Sequence, residues 1–201
     1  MTETISGVVL AGGRGMRLGG VNKALLEVDG RTNIERVFAA LRPLSSELVV
    51  IANDPALSGL AGARVLFDRE PYAGVLPALL QGLEAATGVL AIVVACDMPF
   101  LSAELLTYLV ERAPGRDVVI PVVEDRPEPM HAVYRRAACS EAIRQALGAG
   151  QQRMISFLDR VRVARVQETE LRALDPELRS FFNTNTPEDL AAARSLAERR
   201  R

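Results

Sequence analysis

Cysteine is scarce in this chain of 201 residues, which has only Cys96 and Cys139. Two cysteines so far apart support neither a zinc motif nor a disulfide framework. The expectation is a pair of buried thiols in a reducing cytoplasm. An excess of one charge is also missing. Lys and Arg total 24 against 25 Asp and Glu, a net charge of -1, so nothing global advertises a nucleic-acid partner. Any cluster of cations must be a local device. Long apolar runs are absent too. The longest, "VLAIVVAC" over 89–96, is far too short to span a bilayer, and no membrane partner is expected. The opening "MTETISG" has no basic stretch leading into an apolar one, so no secretory leader is expected. Histidine occurs once, as His131, and a lone histidine is assigned no acid–base role.

What is present is ordinary for a globular protein. Hydrophobic residues make up 49% and charged residues 24%, enough apolar surface to order the chain outside its termini. At this length a single domain, 1–201, is expected. Short runs rich in Val, Ile and Leu recur at 5–11, 47–52, 63–67, 89–95, 117–121 and 161–166. Such runs suit strands buried on both faces of a parallel sheet. Helical patterns lie between most of them, over 32–42, 74–86 and 102–112, and a last helix opens at "NTPEDL". Thr32 with Glu35, and Thr186 with Asp189, are spaced as capping boxes, and Pro187 suits a first helical turn. Strand–helix alternation implies an α/β sandwich with helices on both faces. Ligands of such sheets bind beyond the carboxyl ends of the strands. The segment "EDRPEPMH" over 124–131, with two prolines, reads as a surface loop over the site.

The strongest local signal is "GVVLAGGRGMRLGGVNKALL" over 7–26. An apolar run stops at a cluster of glycines, and Arg14, Arg17 and Lys23 follow. Main-chain N–H groups after a strand end, together with cations, suit a phosphate. Two familiar phosphate loops do not fit. Gly15 and Gly20 have the P-loop separation, but Val21 stands where its lysine belongs. Gly13 and Gly15 begin a dinucleotide fingerprint, but Leu18 takes the place of its third glycine. Asp97 ends the most apolar strand, where a carboxylate is costly without a cation or hydrogen-bond partners. One carboxylate at a strand tip suits Mg²⁺, which completes its shell with waters and phosphate oxygens. Cys96 beside it reads as a packed thiol.

The run "LAGGRGMRLGGVNKALL" resembles the L-A-G-G-x-S-x-R-M-G-x-D-K-x-L signature of the molybdenum cofactor guanylyltransferases, within the nucleotidyltransferase superfamily. The resemblance continues through "ACDMPFL" (95–101), "HAVYRR" (131–136) and "FFNTNTPEDL" (181–190), in the family's order. It implies a three-layer α/β/α sandwich of the Rossmann-like nucleotidyltransferase type, with a mostly parallel sheet. It also implies a reaction in which molybdopterin's terminal phosphate attacks the α-phosphate of GTP and pyrophosphate leaves. Two anions must meet and a third depart, so positioning and charge neutralisation dominate the chemistry.

By this resemblance Leu10, Ala11, Gly12 and Gly13 present main-chain groups to the nucleotide, and Gly20 completes the loop. Arg17 and Lys23 meet the phosphates, as a planar fork and a point charge. Asp97 holds Mg²⁺. Asn53 and Asp68 contact the nucleotide, and Asn183 and Asn185 serve the pterin side. Arg17, Lys23 and Asp97 form the expected catalytic set. GTP and molybdopterin are the implied substrates, with cofactor-insertion proteins and molybdoenzymes downstream. Three departures stand out: Asn22 for the family's Asp, Gly15 for its Ser, and "AGVLPALLQGL" (73–83) for its G-P-L-A-G, with Ala78 at a glycine beside the purine. The last bears on base preference. "LAGG" favours guanine, since cytidylyl relatives more often read L-A-A-G. A molybdopterin cytidylyltransferase, or a relative acting on another phosphorylated acceptor, is the alternative. An oxidoreductase is disfavoured by Leu18, and a non-catalytic binding module by Arg17, Lys23 and Asp97 together.

Overall fold

The computed structural model describes residues 3–12, 21–69 and 73–199. In chain order its strands are β1 (Ile5–Ala11), β2 (Glu27–Val28), β3 (Arg31–Thr32), β4 (Glu47–Ala52), β5 (Arg64–Phe67), β6 (Leu90–Ala95), β7 (Val118–Val123), β8 (Arg126–Pro127), β9 (His131–Arg135) and β10 (Val163–Val166). The helices are α1 (Asn33–Leu41), α2 (Val75–Ala85), α3 (Ala103–Glu111), α4 (Arg136–Gly148), α5 (Glu168–Leu174) and α6 (Pro187–Glu198). Among the described residues no helix is long and apolar enough to cross a membrane.

The main sheet runs β10-β7-β9-β6-β1-β4-β5, with β8 added to β7, while β2 and β3 form a small hairpin of their own. The pairs β1–β4, β1–β6, β4–β5 and β7–β10 are parallel. β9 is reversed, antiparallel to both β6 and β7, and β8 runs antiparallel to β7. Alternation along each strand divides the core into two layers. Val9, Val50, Ile92 and Val94 face one side and pack with Val37, Leu41, Leu105 and Leu109 of α1 and α3. Val8, Leu10, Ile51 and Val93 face the other and pack with Leu79, Leu83 and Ile143 of α2 and α4. Strands buried on both faces explain the near-continuous apolar runs. Helix α6 closes a satellite core of Val28, Phe100, Ala193 and Ala197 over the small hairpin.

The helix starts read from the sequence are where they were expected. Thr32 accepts from the Glu35 N–H and the Glu35 side chain returns to Thr32, a closed capping box on α1. Thr186 and Asp189 do the same for α6, with Pro187 in its first turn. Ser102 caps α3 through the Leu105 N–H. The segment 124–131 differs from the expected open loop. Its first residues make a two-residue hairpin in which Val123 pairs with Arg126. Glu124 and Asp125 both have positive φ, 49° and 60°, as a type I′ turn requires. The segment then feeds β9 and places Met130 against the cleft described below.

Candidate active site

β1 lies between β4 and β6, and the chain moves from β1 to a neighbour on either side. That switch point opens a crevice beyond the carboxyl ends of the strands. The register puts Leu10 level with Ile51 and Ala95, and Ala11 level with Ala52. The residues that follow are therefore delivered to one place. Gly12 comes from β1, Asn53 from β4, Asp68 from β5, and Cys96 and Asp97 from β6. A cavity of about 520 Å³ occupies this place.

Its walls contain every expected site residue that falls within the described chain. They are lined by Leu10, Ala11, Gly12, Lys23, Asn53, Asp68, Asp97, Asn183 and Asn185. Gly13, Arg17 and Gly20, also expected here, lie outside the described residues.

Each side chain is fixed by local structure. Lys23 opens a 3₁₀ turn, Lys23–Leu25, whose cap is Asn22: its Oδ1 accepts from the Ala24 N–H at 3.0 Å. The Asn22 Nδ2 donates to Asp54 Oδ2 at 2.9 Å. An aspartate at position 22 would lack that donor and would set two carboxylates together, which accounts for asparagine in this chain. Gly12 lies against Asn53, whose Nδ2 donates to the Gly12 carbonyl at 2.9 Å. A Cβ on Gly12 would come 3.1 Å from that nitrogen, so the glycine permits the contact. The Asn53 Oδ1 is buried with no hydrogen-bond partner among the described residues. Gln81 of α2 clamps the chain around Asp68, donating to the Phe67 carbonyl at 2.7 Å and accepting from the Arg69 N–H at 2.9 Å.

The chemical centre is a three-residue constellation. Lys23 Nζ donates to Asp97 Oδ2 at 3.0 Å and also to Asn185 Oδ1. Both charged side chains are largely withdrawn from water, at 20% and 11% exposure. The ammonium has three protons and meets two protein acceptors here, which leaves one for a phosphate oxygen. Among the described residues the Asp97 carboxylate has this one ionic partner, and no group of three or more His, Cys, Asp or Glu is gathered anywhere. A lone carboxylate beside substrate phosphates is a donor set that Mg²⁺ accepts, completing its shell with waters and phosphate oxygens.

Asn185, expected on the pterin side, accepts from Lys23 through its Oδ1. Asn183 instead donates to the Phe181 carbonyl at 3.0 Å. Cys96 lines the cleft, but burial pushes its thiol far above the usual range, so it packs rather than attacks. His131 is fully buried and stacked on Phe181, with ring centroids 4.4 Å apart. Burial drives its pKa down to about 3, in keeping with a histidine that has no acid–base role.

Sequence reasoning missed Met130 and the capping work of Asn22. It also passed over one compositional signal: Lys23 is the only lysine among 24 basic residues. Arginine serves everywhere else, so the single ammonium stands where a compact point charge is needed. The far wall is formed by Gly74, Val75 and Ala78 at the start of α2. Gly74 has φ +122°, a conformation side chains rarely adopt. The departure at Ala78 therefore sits on the wall of the cleft itself.

A doubly wound sheet whose switch-point crevice is lined by Gly12, the Lys23 ammonium and the carboxylates of Asp68 and Asp97 defines an α/β domain for handling nucleotide phosphates. Residues 7–166 match the MobA-like NTP transferase domain, and the chain belongs to that family. It is 41% identical over 98% of its length to a probable molybdenum cofactor guanylyltransferase of Pelotomaculum thermopropionicum, covering 95% of that protein. It is 37% identical to a molybdenum cofactor guanylyltransferase of Desulfosudis oleivorans, covering 95% of each chain. Among solved structures, the molybdopterin-guanine dinucleotide biosynthesis protein A of Archaeoglobus fulgidus superposes with a TM-score of 0.81 at 30% identity, over 96% of this chain and 99% of that one.

Proposed function

We propose that this chain transfers the guanylyl group of GTP to the terminal phosphate of molybdopterin, releasing pyrophosphate and giving the guanine dinucleotide form of the cofactor. The observation that carries the proposal is the Lys23–Asp97–Asn185 constellation at the switch point of the sheet. The named activity of the full-length relatives supports it.

The chemistry follows from the walls of the cleft. An acceptor phosphate oxygen forms a bond to the α-phosphorus of GTP as the bond to pyrophosphate breaks. Lys23 supplies fixed positive charge where negative charge accumulates, and Asn185 and Asp97 hold the ammonium in place. The glycine loop and Arg17 are assigned to the triphosphate on the pattern of the sequence. Asn53 and Asp68, which line the cleft, are assigned to the nucleoside. Asn183 is assigned to the acceptor. Mg²⁺, held by Asp97 and the phosphates, would add charge neutralisation to that of Lys23. A cytoplasmic setting suits two cysteines that are both free and buried.

The test is product formation from purified molybdopterin and each nucleoside triphosphate in turn, read by mass spectrometry together with pyrophosphate release. The guanine dinucleotide from GTP alone is the expected result. A cytosine product would move the reading to a cytidylyltransferase, and no pyrophosphate from any triphosphate would overturn it.

A further inference from the structure

We propose that Asn33 is a positioning residue for the active site, acting through Thr184 to hold the segments that carry Lys23, Asp97 and Asn185 in register. The catalytic part of this proposal rests on the nucleotidyl-transfer reading above.

Asn33 is the first residue of α1 and is completely buried. An amide in the core needs a reason, because a leucine there would pack without polar atoms to satisfy. Its Nδ2 has two protons, and both are used. One goes to the Lys23 carbonyl at 2.8 Å, the other to Thr184 Oγ1 at 2.7 Å. Thr184 is also fully buried and lies between the two cleft asparagines. Having accepted from Asn33, its hydroxyl passes its own proton on to the Asp97 carbonyl at 3.3 Å. The Thr184 N–H donates to that same carbonyl at 3.0 Å.

The Lys23 main chain is therefore joined to the Asp97 main chain through the Asn33 carboxamide and then Thr184. These segments are distant in sequence: Asn33 lies 151 positions from Thr184, and Thr184 lies 87 from Asp97. The network is directional, since only a donor at Nδ2 satisfies two acceptors and leaves the threonine hydroxyl free to donate onward. The Asn33 Oδ1 is buried with no partner among the described residues. The amide is thus retained for its two donors although its acceptor is unmatched. A residue kept only to fill space would not leave a buried oxygen unpaired.

The consequence is mechanical. Lys23 and Asp97 meet through side chains, but the distance between their backbones is set from below by Asn33 and Thr184. A misplacement of about 1 Å at such a site lowers a rate by about 100-fold.

The experiment compares the full chain with Asn33→Leu, Thr184→Val, Thr184→Ser and the Asn33→Leu/Thr184→Val double variant, each checked for folding by thermal melting. Two readouts are used. The first is acetylation of Lys23 by an N-hydroxysuccinimide ester, followed by peptide mass spectrometry. Because Lys23 is the only lysine, the terminal α-amine is the internal standard. An amine held between Asp97 and Asn185 is shielded, and a displaced one is open. Acetylation of Lys23 relative to the α-amine should rise severalfold in Asn33→Leu and Thr184→Val, and return toward the parent in Thr184→Ser. The second readout is pyrophosphate release with GTP and molybdopterin. There kcat should fall by about 10- to 100-fold with KM for GTP little changed, and Thr184→Ser should recover most of the loss. The double variant should be no worse than the poorer single, because both cut one chain of contacts.

Unchanged Lys23 acetylation in the folded single variants would overturn the proposal. So would a Thr184→Ser protein as impaired as Thr184→Val, or losses that multiply in the double variant. If Asn33→Leu does not fold, the Thr184 pair decides. A parent protein without turnover would overturn the reaction, while the acetylation arm would still judge the positioning network.

Discussion

Lys23 Nζ lies 3.0 Å from Asp97 Oδ2, although 74 positions separate the two residues in the chain. The contact joins the turn that follows the glycine loop to the carboxyl end of β6. It makes a carboxylate tolerable at 11% exposure, in a place surrounded by apolar strand ends. Removing either partner leaves the other charge withdrawn from water and uncompensated, which is more damaging than losing a surface pair.

The conservative exchange Lys23→Arg should therefore fail as a catalyst. The guanidinium keeps the charge but is planar and larger, and it cannot enter the space between Asp97 and Asn185 as a point donor. Turnover should fall by about 10²-fold or more, the scale of losing one transition-state stabiliser. The melting temperature should move by only a few degrees. Parental turnover in Lys23→Arg would show that charge alone, without the geometry of the ammonium, is what the site uses.

Asp97→Asn is nearly isosteric and still accepts a hydrogen bond from Lys23, but it removes the charge that would hold Mg²⁺. Its turnover should drop by about 10²–10³-fold, with the protein folded and the loss not recovered by raising Mg²⁺. Recovery to the parental rate at high Mg²⁺ would reduce Asp97 to an affinity role. Near-normal turnover at ordinary Mg²⁺ would remove it from the metal site.

The two cleft asparagines should fail differently. Asn185 Oδ1 accepts from Lys23, whereas Asn183 Nδ2 bonds the Phe181 carbonyl. Asn185→Ala should lower kcat, because Lys23 loses one of its two protein partners. Asn183→Ala should leave GTP affinity near the parental value and weaken molybdopterin, by about 0.5–1.5 kcal/mol for one polar contact. Calorimetric titration with a non-hydrolysable GTP analogue, and separately with the pterin, distinguishes them. Loss of GTP-analogue binding in Asn183→Ala would place that residue on the nucleotide side.

The fold was legible in the sequence wherever strands are buried on both faces. β1 and β4 begin and end at the limits of their apolar runs, and the capping boxes of α1 and α6 announce those helices. Other elements escaped notice, three of them for plain physical reasons. β9 carries His131, Tyr134 and Arg135, so its five residues read as a motif rather than as an apolar run. α4 faces the core with one large apolar side chain, Ile143, among Cys139, Ser140, Ala142 and Ala146, which makes a weak stripe. The turn at Glu124 and Asp125 holds two positive φ angles without the glycine or asparagine that normally signals it. At the site, residues aimed into the cleft were identifiable by type and position at strand ends. The network beneath them was not. Asn33 and Thr184 look like helix-entry residues in sequence, and only tertiary contact shows that they join three segments.

Asp117 should matter to stability rather than to turnover. Just ahead of β7, it accepts from the main-chain N–H and from Nε and Nη2 of Arg162, all at 2.9 Å. These bonds hold its carboxyl at about 2, below the ordinary 3.8. A depressed acid stabilises the fold fully above its unfolded value and loses that contribution as pH falls toward the folded one. Asp117→Asn should thus lower unfolding free energy at pH 7 by about 1 kcal/mol, a figure kept small because Arg162 is solvated. The difference from the parent should shrink between pH 4 and pH 2. Urea titrations at both ends of that window check it, and a difference that does not change with pH would mean that Asp117 acts by packing.

His131 gives the opposite kind of group, a base buried in its neutral form. It stacks on Phe181 at 4.4 Å, below the segment that delivers Asn183 and Asn185. Burial lowers its pKa to about 3, against 6.5 for an exposed imidazole. As pH falls below 6.5 the unfolded chain takes up a proton that the folded chain refuses, so stability declines with acid. Well below pH 6.5 one unit of pH is worth about 1.4 kcal/mol, and the drop from pH 6.5 to pH 5 comes to about 1.6 kcal/mol, because the imidazole of the unfolded chain is half protonated at the start. His131→Phe keeps an aromatic ring against Phe181 and removes the titration. It should melt within a few degrees of the parent at pH 7.5 and be the more stable of the two at pH 5. Only the difference between the proteins is needed, because other groups that titrate in the window, such as the half-buried Glu128 with its raised pKa, are common to both. If the parent and His131→Phe lose stability in parallel from pH 7.5 to pH 5, the imidazole is protonated within the fold and the reading of His131 as a neutral packing plate is wrong.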